Sequence, residues 1–334
     1  MGENRWMNTI IFFTDLDKLH DALAYFSLSG FTAKKIPVKL HMGEINNKWF
    51  PKPDFVKHVI DELLQVKADP FLFDTTVAYP GLRHSRTGYE KVAKLHGFTM
   101  QNVGCEVVID DTGVPITVEG RTFDVASHLA CATHVFAISH VNGHIQTGMG
   151  GAIKNLGMGG VTKETKIRIH QGSRPVYQKD ACTFCGACAE VCPFDAITVQ
   201  KDSWNHSSRA CFGCGVCVDA CKNSAMTYQD ADIQYLLACA AYACVKDKSV
   251  LYLNELKRIV KKCDCDPSMN PVICPDIGYV LGIDPVAVDK ASLDLINDIK
   301  ENVFEKENGV SPLKQIKYGE EIGLGSSSYQ LIEL

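Results

Sequence analysis

Residues 182–199, CTFCGACAEVCPFDAITV, and 211–228, CFGCGVCVDACKNSAMTY, decide how this chain is read. Aligned without gaps, they match at all four cysteines, at the glycine after the second cysteine, and at Ala196 and Thr198 against Ala225 and Thr227. Each is a C-x2-C-x2-C-x3-C run, the bacterial-type ligand spacing for a [4Fe–4S] cluster, and an internal duplication of it implies two clusters. Thiolates three residues apart can face one cube only where the backbone coils tightly, so Gly186 and Gly215 are expected to supply dihedrals that other residues avoid. Structural zinc would want two separated C-x2-C pairs, and a disulfide framework would need an oxidising compartment that nothing here indicates.

Over about fifty residues this stretch resembles the bacterial two-[4Fe–4S] ferredoxin, with Lys222 where that family usually has proline. In such ferredoxins the fourth cysteine of each run ligates the other cluster. The resemblance therefore implies one cube on Cys182, Cys185, Cys188 and Cys221, and its neighbour on Cys211, Cys214, Cys217 and Cys192.

At 334 residues the chain far exceeds such a module, and with 46% hydrophobic and 22% charged residues it is ordinary globular material, so another domain must surround the module. A net charge of −5 without a long basic run gives no electrostatic footprint for nucleic acid. The opening MGENRWMNTIIFFTDLDKLH offers a short apolar stretch interrupted by aspartates, so neither a signal peptide nor a membrane span is expected there. Fifteen cysteines in such a chain point to a reducing compartment, the cytoplasm.

From 9 to 170, short apolar runs alternate with helical periodicity, the pattern of an α/β domain with a mostly parallel sheet. TIIFF (9–13), PVKL (37–40), PFLFD (70–74), CEVVID (105–110) and HVFAISH (134–140) are strand candidates. Asp54 is expected to cap a helix carrying Phe55, Val56, Val59, Ile60, Leu63 and Leu64, and Thr87 with Glu90 to form a capping box before the next helix. The α/β character returns after the second run: a helix from about Asp230, strand and turn in PVICPDIGYVLG (271–282), and a helix in VDKASLDLINDI (288–299). So short a tail has few elements for a core of its own. The expected architecture is one discontinuous α/β domain, 1–173 and 230–334, interrupted by an inserted α+β ferredoxin-type 2[4Fe–4S] module at 174–229. Two unrelated domains flanking the module are the alternative.

The richest stretch outside the runs is SHVNGHIQTGMGGAIKNLGMGGVTKETKIRIH (139–170), just past a strand, where open α/β sheets place their sites. Gly148, Gly150 and Gly151 could admit an anion to backbone amides at the start of the helix carrying Lys154 and Asn155; the plainer reading is a tight turn and a solvated lysine. His41, Asp74, Arg83, Asp110 and His140 fall at or near strand ends and could join His144 and Lys154 in one titratable site. Cys263-Asp264-Cys265, with Cys274-Pro275-Asp276 beyond, could bind a metal or a third cluster through Cys263, Cys265 and Asp276, although thiols one residue apart in extended chain point oppositely. Cys105, Cys131, Cys239 and Cys244 read as buried structural cysteines.

His144, Gly148, Lys154, Asn155 and Gly157 resemble the H-x9-K-N-x-x-G signature of the DUF362 family of iron–sulfur centre proteins, and DPVAVD (284–289) is similar to that family's DPVA-x-D segment. The resemblance implies one domain split by the module, and it implies no particular substrate. Members often carry lysine two residues before the histidine, where this chain has Asn142. The function expected is a low-potential oxidoreductase in which a partner protein or small-molecule donor loads one cluster and the second relays the electron. An unknown substrate receives it near His144, Lys154 and Asn155. A non-catalytic electron carrier, or a metal-handling or redox-sensing protein, is the competing class. No G-x-G-x-x-G follows an early strand, so neither NAD nor flavin is expected.

Overall fold

The computed structural model describes residues 8–268 and 270–334. Eight strands make the central sheet: β1 (Asn8–Phe13), β2 (Lys35–Lys39), β3 (Asp69–Asp74), β4 (Glu106–Ile109), β5 (His134–His140), β6 (Ser249–Leu256), β7 (Gly278–Gly282) and β8 (Tyr329–Glu333). Their order is β8-β1-β7-β6-β5-β2-β3-β4. Neighbours run parallel except at β7, which is antiparallel to β1 and β6. All five early strand candidates are strands, their ends within a residue or two of the expected ones.

Side chains alternate across the pleat. Ile10, Phe12, Phe71, Phe73, Val135, Ala137, Val250 and Tyr252 face one core, and Ile11, Phe13, Leu72, Phe136, Ile138, Leu251 and Leu253 the other. Both faces are apolar because both are covered, as a mostly parallel sheet requires. Helices α1 (Pro53–Gln65) and α2 (Arg86–Leu95) lie on the second face. The first face carries α3 (Ala152–Gly159), α4 (Lys163–Gly172), α5 (Ile233–Val245) and α6 (Pro285–Ile299). β5, the last sheet strand before the cysteine runs, pairs along its length with β6, the first after them. Residues on both sides of the runs thus share one sheet.

Within 174–229, Pro175–Tyr177 pairs antiparallel with Met226–Tyr228 at the neck of the segment, and Ile197–Val199 pairs with Trp204–His206. Gly186 (φ 82°) and Gly215 (φ 78°) are left-handed, as the tight coil demands, and each starts a short helix, Ala187–Glu190 and Val216–Asp219. The duplication is also visible in the backbone. Phe184 and Gly213 occupy equivalent positions at φ 54° and 68°, and Asp195 and Ser224 at 48° and 53°.

Two helix starts differ from expectation. Pro53, with its pre-set φ, takes the first position of α1, so Asp54 sits inside the first turn and caps nothing. Ser85, whose hydroxyl accepts from the Gly88 amide, caps α2 and leaves Thr87 inside the helix. Cys131 is exposed, whereas Cys105, Cys239 and Cys244 are buried. Among the described residues no helix is long and apolar enough to cross a membrane.

Candidate functional site

A cavity of about 180 Å³ opens at the carboxyl ends of β2, β3 and β5, where open parallel sheets bind ligands. It would hold roughly a dozen waters, the room of a small molecule. Lys39 and Asp74, the last residues of β2 and β3, are buried 3.0 Å apart. Arg83, buried beyond β3, lies 3.7 Å from Asp74 and 3.5 Å from Glu44, and donates to His41 at 2.8 Å. Tyr89 donates to Asp74 from α2.

The remaining cations lack such pairing. Lys166, on α4, donates to the Thr75 hydroxyl at 2.6 Å and to the Thr76 carbonyl. Lys154 has no hydrogen bond or ion pair to protein among the described residues. Burial, reinforced by Lys39 and Arg83 and opposed by nearby aspartates, brings both lysines down to about 8. Lys39, Arg83, Lys154 and Lys166 line the cavity against Asp74 and Asp264, so the excess charge is positive and suits an anion. Burial, then the neighbouring Lys154, holds His144 well below its ordinary value.

Gly148, Gly150 and Gly151 do lead into a helix start, yet the anion there is the chain's own Asp289. The Ala152 and Ile153 amides of α3 donate to its carboxylate at 2.7 and 3.0 Å, and Asn254 does so at 2.9 Å. A Cβ on Gly151 would stand 2.3 Å from this carboxylate, which is why a glycine is needed. Burial raises Asp289 to about 6 against these donors. Asp284 caps α6, accepting from Val286 and Ala287 at 2.8 and 3.0 Å. Asn155 accepts from Lys39 at 2.8 Å and donates to the Ile138 carbonyl and the Ser139 hydroxyl; it positions Lys39 and ties α3 to β5.

Cys263 and Cys265 line the same cavity, joined to each other as a disulfide. The extended-chain argument fails because 263–266 is a turn, closed by the Asp266 amide donating to the Cys263 carbonyl at 3.0 Å. Between the two cysteines, Asp264 turns inward to His140 and Asn142, each at 2.9 Å. A ring nitrogen of His144 lies within 4.8 Å of both sulfurs. Asp276 is not part of this group: it accepts from the Arg258 amide at 2.6 Å. Cys274 belongs to the core, and Asp110 bonds Thr112 and Ser127 instead.

The two cysteine runs enclose two hollows. Cys182, Cys185, Cys188 and Cys221 line one; Cys192, Cys211, Cys214 and Cys217 line the other. The fourth cysteine of each run therefore faces the hollow of its neighbour. Among the described residues, the only three ligand atoms within 4.8 Å of one another are those of His144, Cys263 and Cys265; the eight cage thiols stand wider than one tetrahedral ion requires. Tyr177 and Trp204 line the first hollow, the Tyr177 hydroxyl directed at the Cys182 sulfur and the Trp204 indole N–H at that of Cys188, and neither buried group has an oxygen or nitrogen partner among the described residues. Donors aimed at sulfur in this way fit an iron–sulfur core.

Phe212, beside Cys211, borders both the second hollow and the cavity. Its ring packs on His170 at 5.1 Å and Phe194 at 5.4 Å, and its carbonyl accepts from Gln146 at 3.3 Å. Gly213 follows so closely on the His170 carbonyl that a Cβ would lie 1.9 Å from its oxygen. Lys39, Lys166, Glu44 and Phe212 are the site residues that sequence reasoning misses. Only Lys39 leaves a signal, as a cation within the apolar run PVKL.

A family model described as "Domain of unknown function (DUF362)" matches residues 36–294. No curated protein matches the chain. Among solved structures, the lactate racemase apoprotein from Thermoanaerobacterium thermosaccharolyticum is similar at 10% identity and TM-score 0.38, over 76% of this chain and 52% of that one. A crystal structure of a Thermotoga maritima protein is similar at 10% identity and TM-score 0.43, over 92% of this chain and 59% of that one. The chain thus spans a little over half the length of each.

Proposed function

The chain belongs to the DUF362 family, and from that premise we propose that it binds two [4Fe–4S] clusters and is an oxidoreductase acting on a small anionic molecule held in the cavity. The observation that carries this reading is Phe212, the wall common to the cavity and to the hollow of Cys192, Cys211, Cys214 and Cys217. When bound, the clusters supply single electrons. The partition of the eight cysteines into two crossed sets and the sulfur-directed donors of Tyr177 and Trp204 support that cofactor.

The chain's own residues do the rest. Lys154, whose ammonium has no hydrogen bond or ion pair among the described residues, and Lys166 neutralise and orient the anion, while Lys39 and Arg83 are held by Asp74 and Glu44 as a fixed electrostatic wall. The outer hollow, which does not border the cavity, is left to meet a one-electron donor.

The test is reoxidation of anaerobically reduced protein by a panel of small anions: monocarboxylates, dicarboxylates, inorganic phosphate and sulfite. One class should accelerate it, with an effect that fades as pH rises through about 8, where Lys154 and Lys166 lose their charge. Lys154→Ala should weaken the effect by about tenfold, the worth of roughly 1.4 kcal/mol, with iron content unchanged. If no anion acts and both proteins pass electrons equally to a carrier protein, the chain is an electron carrier.

A further inference from the structure

Resting on that reading, we infer that Cys263 and Cys265 are a redox-active pair, a two-electron store standing between the second cage and the ligand of the cavity. The two sulfurs are bonded to each other on the cavity wall, the wall to which Phe212 also belongs. A disulfide stabilises a fold chiefly by closing a loop, and the gain shrinks with loop length. With a sequence separation of 2, this one constrains almost nothing, so stapling does not account for it.

The surroundings hold the pair in place in either oxidation state. The carboxylate of Asp264 is fixed by His140 and Asn142, and its carbonyl accepts from the Glu44 amide at 2.9 Å. Opening the S–S bond therefore need not release the turn that presents the sulfurs.

His144 separates thiol chemistry from metal binding. The Gln146 amide can only donate, and it reaches Nδ1 of His144 at 3.2 Å. Nδ1 is thus an acceptor, and the neutral ring carries its proton on Nε2. A ring in that tautomer can donate a hydrogen bond to a thiolate sulfur, whereas it could ligate a metal through Nε2 only with a proton on Nδ1.

In the step itself, the S–S bond breaks as each sulfur takes one electron and one proton. The electrons arrive singly from an external low-potential one-electron donor by way of the clusters, and the protons from solvent. Re-forming the bond releases two electrons and two protons to a two-electron acceptor in the cavity. The pair so matches one-electron delivery to a two-electron reaction.

Anaerobic titration of the holoprotein with dithionite tests this, each point being quenched with iodoacetamide and the peptide holding Cys263 and Cys265 weighed. Oxidised protein should leave both cysteines unalkylated as a disulfide. Full reduction should consume about four electron equivalents, one per cluster and two for the pair, and leave both alkylated. Cys265→Ser should keep the cluster absorbance and take up about two. A wild-type uptake of about two with the pair still oxidised, or a pair that is alkylated or holds stoichiometric zinc before reduction, overturns the inference and leaves the proposed function standing. Wild-type protein without iron and cluster absorbance would instead overturn the proposed function.

Discussion

Nε2 of His140 faces the Lys257 carbonyl at 2.7 Å, and Nδ1 lies 2.9 Å from both an Asp264 oxygen and the Asn142 side-chain nitrogen. Pairing with the Asp264 carboxylate favours a second proton on the ring. Burial opposes that charge, yet Asp264 outweighs it and holds the imidazole above its ordinary value. With a folded pKa above the unfolded value of about 6.5, the contribution to stability is fully present below about pH 6.5 and is lost as pH rises through the raised folded value. Urea denaturation under anaerobic conditions should show that decline in wild type. Asp264→Asn should be less stable by about 3 kcal/mol at acid pH and should flatten that part of the profile; a wild-type curve as flat as the variant's would mean a neutral His140. At this scale the sequence is readable where chemistry follows a strand end, as with His140, His144 and Lys154. It is silent on Lys166 and Phe212, which reach the cavity from a helix and from a neighbouring loop. It misleads at Asp276, whose nearness in sequence to Cys274 says nothing of which way the turn faces.

Among the elements, α3 joins the two stretches of chain that flank the cysteine runs. Its first amides hold Asp289 of α6, and its Gly157 lies against α5, where a Cβ would stand 2.4 Å from the Leu237 carbonyl oxygen. Gly157→Ala must push these helices apart at a cost of about 1–3 kcal/mol. Its denaturation midpoint should fall while iron content is retained, and a variant as stable as wild type would show that the helices do not pack so closely. The spacing of Lys154, Asn155 and Gly157 is plain in the sequence, as is the DPVAVD segment. That one signature supplies the anion for the other's helix is not, because the carboxylate and the amides are more than a hundred residues apart. Helix starts are misread for a local reason: Pro53 takes the first position of α1 ahead of Asp54, and Ser85 takes the cap of α2 ahead of Thr87.

Across the whole molecule, apolar runs such as PFLFD and HVFAISH make the sheet legible, since a strand covered on both faces has few polar positions to confuse it. The pairing of β5 with β6 across the intervening cysteine runs is a matter of topology that local pattern cannot reveal. The cysteine spacing points to the proposed cofactor, whereas the wall that Phe212 shares with the cavity emerges only when the segment folds against α4. The two crossed sets of cysteines are proposed to hold two cubes beside a cationic cavity. The measurement that tests this most directly is iron and acid-labile sulfide analysis of anaerobically isolated protein. The account expects about eight of each per chain; stoichiometric zinc with no labile sulfide would contradict it.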